Sequence, residues 1–71
     1  METVRPGVYR HFKGNLYRVL FSARHSETGE EMVVYRALCG EQDYWVRPAA
    51  MWQEAVERDG YSGPRFTWVE P

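Results

Sequence analysis

The sequence has little cysteine: Cys39 is the single one, so no disulfide can form within the chain. It also lacks an apolar run of about 20 residues, the length needed to cross a bilayer, and it lacks the pattern of a secretory signal peptide. Disulfides are rare in the cytosol, where thiols are kept reduced. We therefore expect a cytoplasmic protein without membrane contact, in which Cys39 is a small buried hydrophobic residue and not a nucleophile.

The chain lacks an excess of either charge, because it has nine Lys and Arg residues and ten Asp and Glu residues, which gives a net charge of −1. Nothing in this balance indicates a nucleic acid or a membrane as partner. Five basic residues nevertheless precede position 25, against one acid, Glu2, and all basic residues but Lys13 are arginine. Arginine binds carboxylate and phosphate in a planar geometry and stacks on aromatic rings. The simplest interpretation is a solvated strand face with Arg side chains over Tyr and Trp.

Motifs for phosphate loops, zinc ligands and dinucleotide binding are absent, so the sequence predicts no catalytic residue, no metal site and no cofactor. The two histidines are His11 and His25. At about 3.3 Å per strand residue, His25 lies roughly 25 Å from the strand end where His11 is expected. The two imidazoles are therefore not expected to share a metal ion, and His11 is interpreted as a partly buried, hydrogen-bonded side chain.

Aromatic and hydrophobic residues are abundant instead, at 15% and 44% of the 71 residues. A domain of this length buries only about 60% of the surface that its unfolded chain exposes. Aromatic side chains offset that handicap, because they bring the largest buried area per residue. The composition predicts one folded domain over residues 1–71, with its core at about 7–69.

Apolar runs between turn residues predict five strands, at residues 8–12, 16–24, 31–39, 44–47 and 65–69. Pro48 suits the first turn of a helix, and Gly60 suits its C-terminal cap. Between them, one apolar stripe is formed by Met51, Trp52, Ala55 and Val56. The order is β-β-β-β-α-β. Short strands and tight turns in so small a chain favour a mainly β fold, a strongly bent antiparallel sheet or small barrel with one short helix.

The first turn decides which side chains share a face of the sheet. A two-residue turn at 14–15 would place Arg10 opposite Val19, whereas a three-residue loop at 13–15 places Tyr9 opposite Val19. The longer loop is preferred, because burying Arg10 without a partner is costly. It gathers on one face Tyr9, His11, Tyr17, Val19, Phe21 and Ala23.

Several short motifs carry a resemblance to a known family: GVYRHFKG at 7–14, YRV at 17–19, ARHSET at 23–28, VVY at 33–35, WVRP at 45–48 and PRF at 64–66. With them, the chain from about residue 7 to residue 66 resembles the bacterial family called domain of unknown function 1653. The resemblance implies a small SH3-like barrel, found alone or attached to other domains, and no established activity. Cys39 and Trp52 stand where the family more usually has an aromatic residue and Phe, which is consistent with packing variation.

The first candidate site is the loop formed by His25, Ser26, Glu27 and Thr28. A hydroxyl, an imidazole and a carboxylate occur together there, but neighbours in a hairpin cannot reach each other as a nucleophilic triad requires. In one interpretation the hydroxyl groups satisfy the backbone of the turn. In the other, the loop contacts a ligand. A small hydrolase that uses His25 and Glu27 is the most remote alternative.

The second candidate site consists of Tyr35, Trp45, Arg47 and Arg65. If the turn at 40–42 is tight, Arg47 lies about level with Tyr35 across a hairpin. An Arg beside aromatic rings can bind a phosphate or carboxylate while a base or an apolar group stacks on the ring. In the plainer interpretation, Arg47 binds backbone carbonyls and Trp45 only packs.

These features favour a non-enzymatic binding module, whose aromatic and Arg-lined surface recognises a nucleic acid, a nucleotide-like ligand or a peptide. This step rests on analogy with other small barrels. The alternative is a structural or regulatory adaptor, which docks a partner protein through an exposed sheet edge or through the stripe of Met51 and Trp52. The sequence does not indicate an oligomeric state.

Overall fold

The computed structural model describes residues 4–40 and 43–71. Across these residues, seven strands and one short helix follow one another. Their bounds are β1 Gly7–His11, β2 Leu16–Arg24, β3 Glu31–Ala37, β4 Tyr44–Pro48, α1 Ala49–Trp52, β5 Ala55–Arg58, β6 Tyr61–Pro64 and β7 Phe66–Glu70. Glu41 and Gln42, in the turn expected before β4, lie outside the described residues.

Five of the strands form one antiparallel sheet in the order β4-β3-β2-β1-β7, and β5 pairs with β6 in a separate hairpin. The last strand returns to lie beside the first, so that β4 and β7 are the outer strands of the large sheet. The prediction of a mainly β, antiparallel fold with one short helix is confirmed. Within the described residues, no helix is long and apolar enough to span a membrane.

The predicted helix from Pro48 to Gly60 is wrong in its length. Helix α1 ends at Trp52 after one turn, and the chain continues into the β5–β6 hairpin. Asp59 and Gly60 join these strands with φ angles of 52° and 81°. Two successive positive φ values are typical of a type I′ hairpin turn, for which Asp-Gly is a preferred sequence. Gly60 therefore caps no helix, and Val56 is buried from a strand.

The loop of the β1–β2 hairpin lies at residues 12–14, one residue earlier than the predicted loop at 13–15. Tyr9 pairs with Tyr17, two residues from the predicted register in which Tyr9 lay opposite Val19. A backbone hydrogen bond of 2.8 Å from the N–H of His11 to the carbonyl of Asn15 closes the loop. Because a shift of two residues preserves the faces of a strand, Tyr9, His11, Tyr17 and Val19 still share one face.

A β-bulge in β2 makes the predicted positions of Phe21 and Ala23 wrong. Val19 pairs with Tyr35, but Phe21 pairs with Val34, so the register shifts by one residue between them. One extra residue moves all following side chains to the opposite face of the sheet. Phe21 is consequently 51% exposed, and Ala23 is exposed as well.

One hydrophobic cluster joins α1 to the large sheet, and it contains Val4, Tyr9, Val19, Val33, Tyr35, Ala49, Trp52 and Phe66. We call the sheet face that carries these side chains the inner face and the opposite one the outer face. Val4 extends the core beyond the predicted start at about residue 7. The prediction that Cys39 is buried is wrong, because β3 ends at Ala37 and the thiol lies exposed beyond it.

Candidate functional site

Strand pairing aligns aromatic and basic side chains on the inner face. His11 pairs with Phe66 across β1 and β7, and Tyr35 pairs with Trp45 across β3 and β4. Directly paired residues point to the same face, and every second residue of a strand returns to it. Together with the adjoining Arg65, this placement forms what we call the cationic–aromatic cluster: His11, Tyr17, Tyr35, Trp45, Arg47, Arg65 and Phe66.

Phe66 is the centre of this cluster. Its ring centroid lies 5.0 Å from that of His11 and 5.9 Å from that of Tyr17, both in edge-to-face geometry. The Cζ atom of Arg47 lies 5.6 Å from the same centroid, within cation–π range. Phe66 itself is buried, and it stacks on Trp52 with 3.7 Å between ring centroids. The core therefore fixes the ring around which the basic groups are arranged.

Arg65 is held from two sides at the start of β7. Its guanidinium donates to the Glu54 carboxylate at 3.0 Å, and its backbone N–H donates to the Glu54 carbonyl, also at 3.0 Å. The Nε–H of Arg65 and the indole N–H of Trp52 are both buried, and neither has an acceptor among the described residues. Two N–H donors with unused capacity thus belong to the residue that stacks on Phe66 and to the residue that precedes it.

The electrostatic environment of His11 is cationic. Burial lowers the pKa of His11, and the charges of Arg47, Arg65 and Lys13 lower that pKa further. The Nδ1 atom of His11 accepts the backbone N–H of Lys13 at 3.2 Å, which requires this nitrogen to be unprotonated. His11 is therefore neutral at pH 7, and the interpretation of a partly buried, hydrogen-bonded side chain is confirmed. The positive field is supplied by its neighbours, and it favours an anionic ligand.

All four residues of the second predicted site belong to this cluster. Arg47 is not level with Tyr35, however, because it pairs with Val33, and Trp45 takes the position opposite Tyr35. Trp45 is 55% exposed, whereas Tyr35 is 8% exposed. Trp45 is thus the ring on which a ligand could stack, and Tyr35 is part of the packing that supports it.

The first predicted site lies at the other end of β2, and all its residues are exposed: His25, Ser26, Glu27 and Thr28. The Nδ1 atom of His25 accepts the backbone N–H of Glu27 at 3.1 Å, and the hydroxyl of Thr28 accepts that of Glu30 at 3.1 Å. These bonds satisfy the turn, which is what the structural interpretation of the loop expects. A ligand role for this loop stays a prediction, and the strand length places it roughly 25 Å from Tyr17.

Sequence reasoning did not assign Phe66 and His11 to a site. The alternation of Tyr9 with His11 in β1 and of Phe66 with Trp68 in β7 was visible in the sequence. Their meeting depends on the return of β7 to the side of β1, a non-local pairing that leaves no local signal. Within residues 4–40 and 43–71, no three His, Cys, Asp or Glu side chains are grouped as metal ligands.

The sequence and the fold are both similar to those of a known protein family. The family described as protein of unknown function (DUF1653) matches residues 7–68. A crystal structure of a DUF1653 protein from Bordetella bronchiseptica is 40% identical in sequence, with a TM-score of 0.88, and the match covers 99% of this chain and 92% of that chain. No curated protein matches the sequence. The resemblance carried by the motifs between residues 7 and 66 is confirmed, and the chain belongs to the DUF1653 family.

Proposed function

We propose that this domain is a non-enzymatic binding module whose cationic–aromatic cluster binds a phosphorylated ligand with a planar ring. A nucleotide, or a short stretch of single-stranded nucleic acid, has this chemistry. The observation that carries the proposal is the position of Arg47 on the inner face of β4. Its guanidinium lies 5.6 Å from the Phe66 centroid, and the half-exposed ring of Trp45 stands two residues earlier on the same face.

The two parts of such a ligand have separate partners in the cluster. A base can stack on Trp45, and each base stacked on an aromatic side chain contributes about 1–3 kcal/mol. Arg47 and Arg65 can bind a phosphate in charge-assisted hydrogen bonds, worth about 1.5–3 kcal/mol each. The Nε–H of Arg65 lacks an acceptor among the described residues, so Arg65 has donor capacity beyond its ion pair with Glu54.

The net charge of the chain limits the length of the nucleic acid that it can bind. The net charge is −1, whereas proteins that bind duplex nucleic acid carry extended basic surfaces. At the cluster, the positive charges that act on His11 are those of Arg47, Arg65 and Lys13. A cluster of this size fits a free nucleotide or a few nucleotides of a single strand, and it favours those over a duplex.

The hydrogen bonds of the two histidines favour binding without catalysis. The Nδ1 atoms of His11 and His25 each accept a backbone N–H of their own turn, which leaves those nitrogens occupied. The remote alternative, a hydrolase that uses His25 and Glu27, would act at the loop of residues 25–28, roughly 25 Å from Tyr17 of the cluster. We place the function in the cytoplasm, because the exposed thiol of Cys39 is a reactive group in an oxidising compartment.

The proposal is tested by titrating the protein with ATP and with a single-stranded RNA of about four nucleotides, following tryptophan fluorescence and heat. We expect quenching with saturable binding. Arg47→Gln and Arg65→Gln should each weaken binding by roughly tenfold to a hundredfold, since 1.4 kcal/mol is a factor of ten. Arg47→Gln should also lower the salt dependence of the affinity by about one phosphate contact.

Arg10→Gln is the matched control, because Arg10 is exposed on the outer face of β1 and the charge change is the same. It should bind as the wild type does. Equal losses in the Arg10 and Arg47 variants would show unspecific charge attraction and contradict the proposal. Saturable binding of an acidic peptide, without any response to ATP or RNA, would replace the proposed ligand class.

A further inference from the structure

Strand β4 is an outer strand of the large sheet with unusually exposed apolar side chains. Tyr44, Trp45 and Val46 follow one another and are 66%, 55% and 60% exposed. Edge strands offer unpaired N–H and C=O groups to other strands, and proteins usually protect them with charges or prolines. In β4 this protection is limited to Arg47 and Pro48, at the end that leads into α1.

The pairing of Pro48 shows which backbone groups of β4 face outward. Pro48 has no N–H, so its antiparallel pairing with Met32 cannot be a hydrogen-bonded pair. Hydrogen-bonded and non-hydrogen-bonded pairs alternate along the ladder, which is regular from Pro48 to Tyr44. Tyr44 and Val46 are therefore also in non-hydrogen-bonded pairs. Their N–H and C=O groups point away from β3, toward the open edge.

We propose that β4 pairs antiparallel with β4 of a second copy of this chain, about a twofold axis at Val46. The outward groups of Val46 in one copy would then meet those of Val46 in the other. The two sheets would join into one continuous ten-strand sheet. The inference is drawn from the open edge of β4 and not from the proposed ligand, although the pairing also brings Trp45 and Arg47 of the inner face to the seam.

The residues of β4 are complementary to themselves in this register. Val46 lies opposite the partner's Val46, and Tyr44 lies opposite the partner's Pro48, so the seam is apolar on the outer face. The Tyr44 N–H can donate to the partner's Pro48 carbonyl, whereas the Tyr44 carbonyl receives no bond there, because proline has no N–H. On the inner face, Trp45 lies opposite the partner's Arg47, a cation beside an aromatic ring, and like charges meet nowhere along the strand. A second copy is therefore a better occupant than an unrelated strand, whose sequence would have to supply all five matches.

The outer face adds an apolar row that leads to this seam. Phe21 pairs with Val34, and Val34 pairs with Val46, and Phe21 and Val46 are each more than half exposed. Pairing through β4 continues the row into the partner's Val46 and shields the side chains at the seam. The other outer strand, β7, ends in Glu70 and exposes one large apolar side chain, Val69, at 38%.

Sedimentation velocity over about 10 µM to 1 mM protein tests this dimer, since interfaces below roughly 1,200 Å² are weak or transient. We expect a monomer–dimer equilibrium in the wild type. Val46→Lys places two like charges against each other at the axis and should weaken dimerisation at least about tenfold. Val69→Lys makes the same change in β7 and should leave the equilibrium unchanged. Thermal unfolding of both variants checks that the monomer is intact.

Disulfide trapping gives a second readout of the register. In a Cys39→Ser background, Val46→Cys should form a covalent dimer on mild oxidation, because paired residues about 5.5 Å apart can be bridged. Val69→Cys should not. A monomer throughout the concentration range, a dimer that Val46→Lys leaves intact, or an open-ended series of oligomers would each overturn the proposal. Dimerisation of the wild type, together with no response of the Val46→Lys variant to ATP or RNA, would refute the proposed function alone.

Discussion

The rings of Trp52 and Phe66 lie face to face, with centroids 3.7 Å apart and planes at 1°. Trp52 also meets Tyr9 and Tyr35 in edge-to-face contacts at 5.5 and 5.0 Å. One residue of the short helix thereby connects three strands of the sheet. It also supports Phe66, around which the cationic–aromatic cluster is arranged.

Trp52→Ala should therefore reduce the free energy of unfolding by about 3–5 kcal/mol, the usual cost of deleting a buried Trp or Phe side chain. For a domain of this size that is much of the total stability. Urea unfolding followed by circular dichroism measures the effect. Trp45→Ala is the control, because Trp45 is 55% exposed, and it should change stability by less than about 0.5 kcal/mol. Similar costs for both variants would contradict this account of the core.

Gly7 occupies a position that no other residue fits well. Its φ angle is +148°, and a Cβ atom there would lie 2.5 Å from the Trp68 ring and 2.8 Å from the Glu70 carbonyl oxygen. Gly7→Ala should cost about 1–3 kcal/mol in backbone strain and a further 1–3 kcal/mol or so in overpacking.

The control for this prediction is Gly14→Ala, which meets nothing within 4 Å at a φ of +105°. Chemical denaturation of the two variants should show the larger loss of stability for Gly7→Ala, by about the overpacking cost alone. Equal losses would mean that the contact of β1 with Trp68 is looser than the structure shows.

His11 makes the stability of the domain depend on pH. Its pKa in the folded state lies below the ordinary value of about 6.5, chiefly through burial and then through the nearby charges. The unfolded state therefore binds more protons than the folded state in the window just below pH 6.5. Stability is complete above the unfolded pKa and falls as the pH decreases through this window.

His11→Asn should flatten that dependence. The measurement is the free energy of unfolding at about pH 7.5 and about pH 5, which bracket the ordinary pKa of histidine. The loss between the two values should be smaller in the variant than in the wild type. An unchanged loss would show that other groups cause it. A bound phosphate should raise the pKa of His11, because a negative charge favours the protonated ring.

Local patterns in the sequence were sufficient for most of the strands and for the inner face of β1, because period-two alternation and turn residues are local signals. Two misjudged regions have a physical explanation. Leu20 is the extra residue of the bulge in β2, and it turns Phe21 outward. Bulges leave little trace in composition. Met51, Trp52, Ala55 and Val56 match a helical stripe, yet Asp59-Gly60 forms a hairpin turn.

The candidate site was predictable in part. Tyr35, Trp45 and Arg47 lie on one local hairpin, so their shared face followed from alternation once the strands were placed. His11 and Phe66 join the candidate site only through the pairing of β1 with β7. These two strands come from opposite ends of the chain. The hydroxyl and imidazole groups of residues 25–28 suggested chemistry, but they are the groups that a polar turn uses to satisfy its own backbone.

Binding at the cationic–aromatic cluster is tested most sharply by a two-dimensional amide and indole NMR titration of the Val46→Lys protein with the four-nucleotide RNA. This probe is about as short as the binding sites known for single strands. Using this variant separates ligand binding from association through β4. We expect shifts concentrated on the Trp45 indole and on the amides of His11, Arg47 and Phe66, with residues 25–28 unchanged. Shifts confined to residues 25–28, or a spectrum that does not change at all, would contradict binding at the cluster.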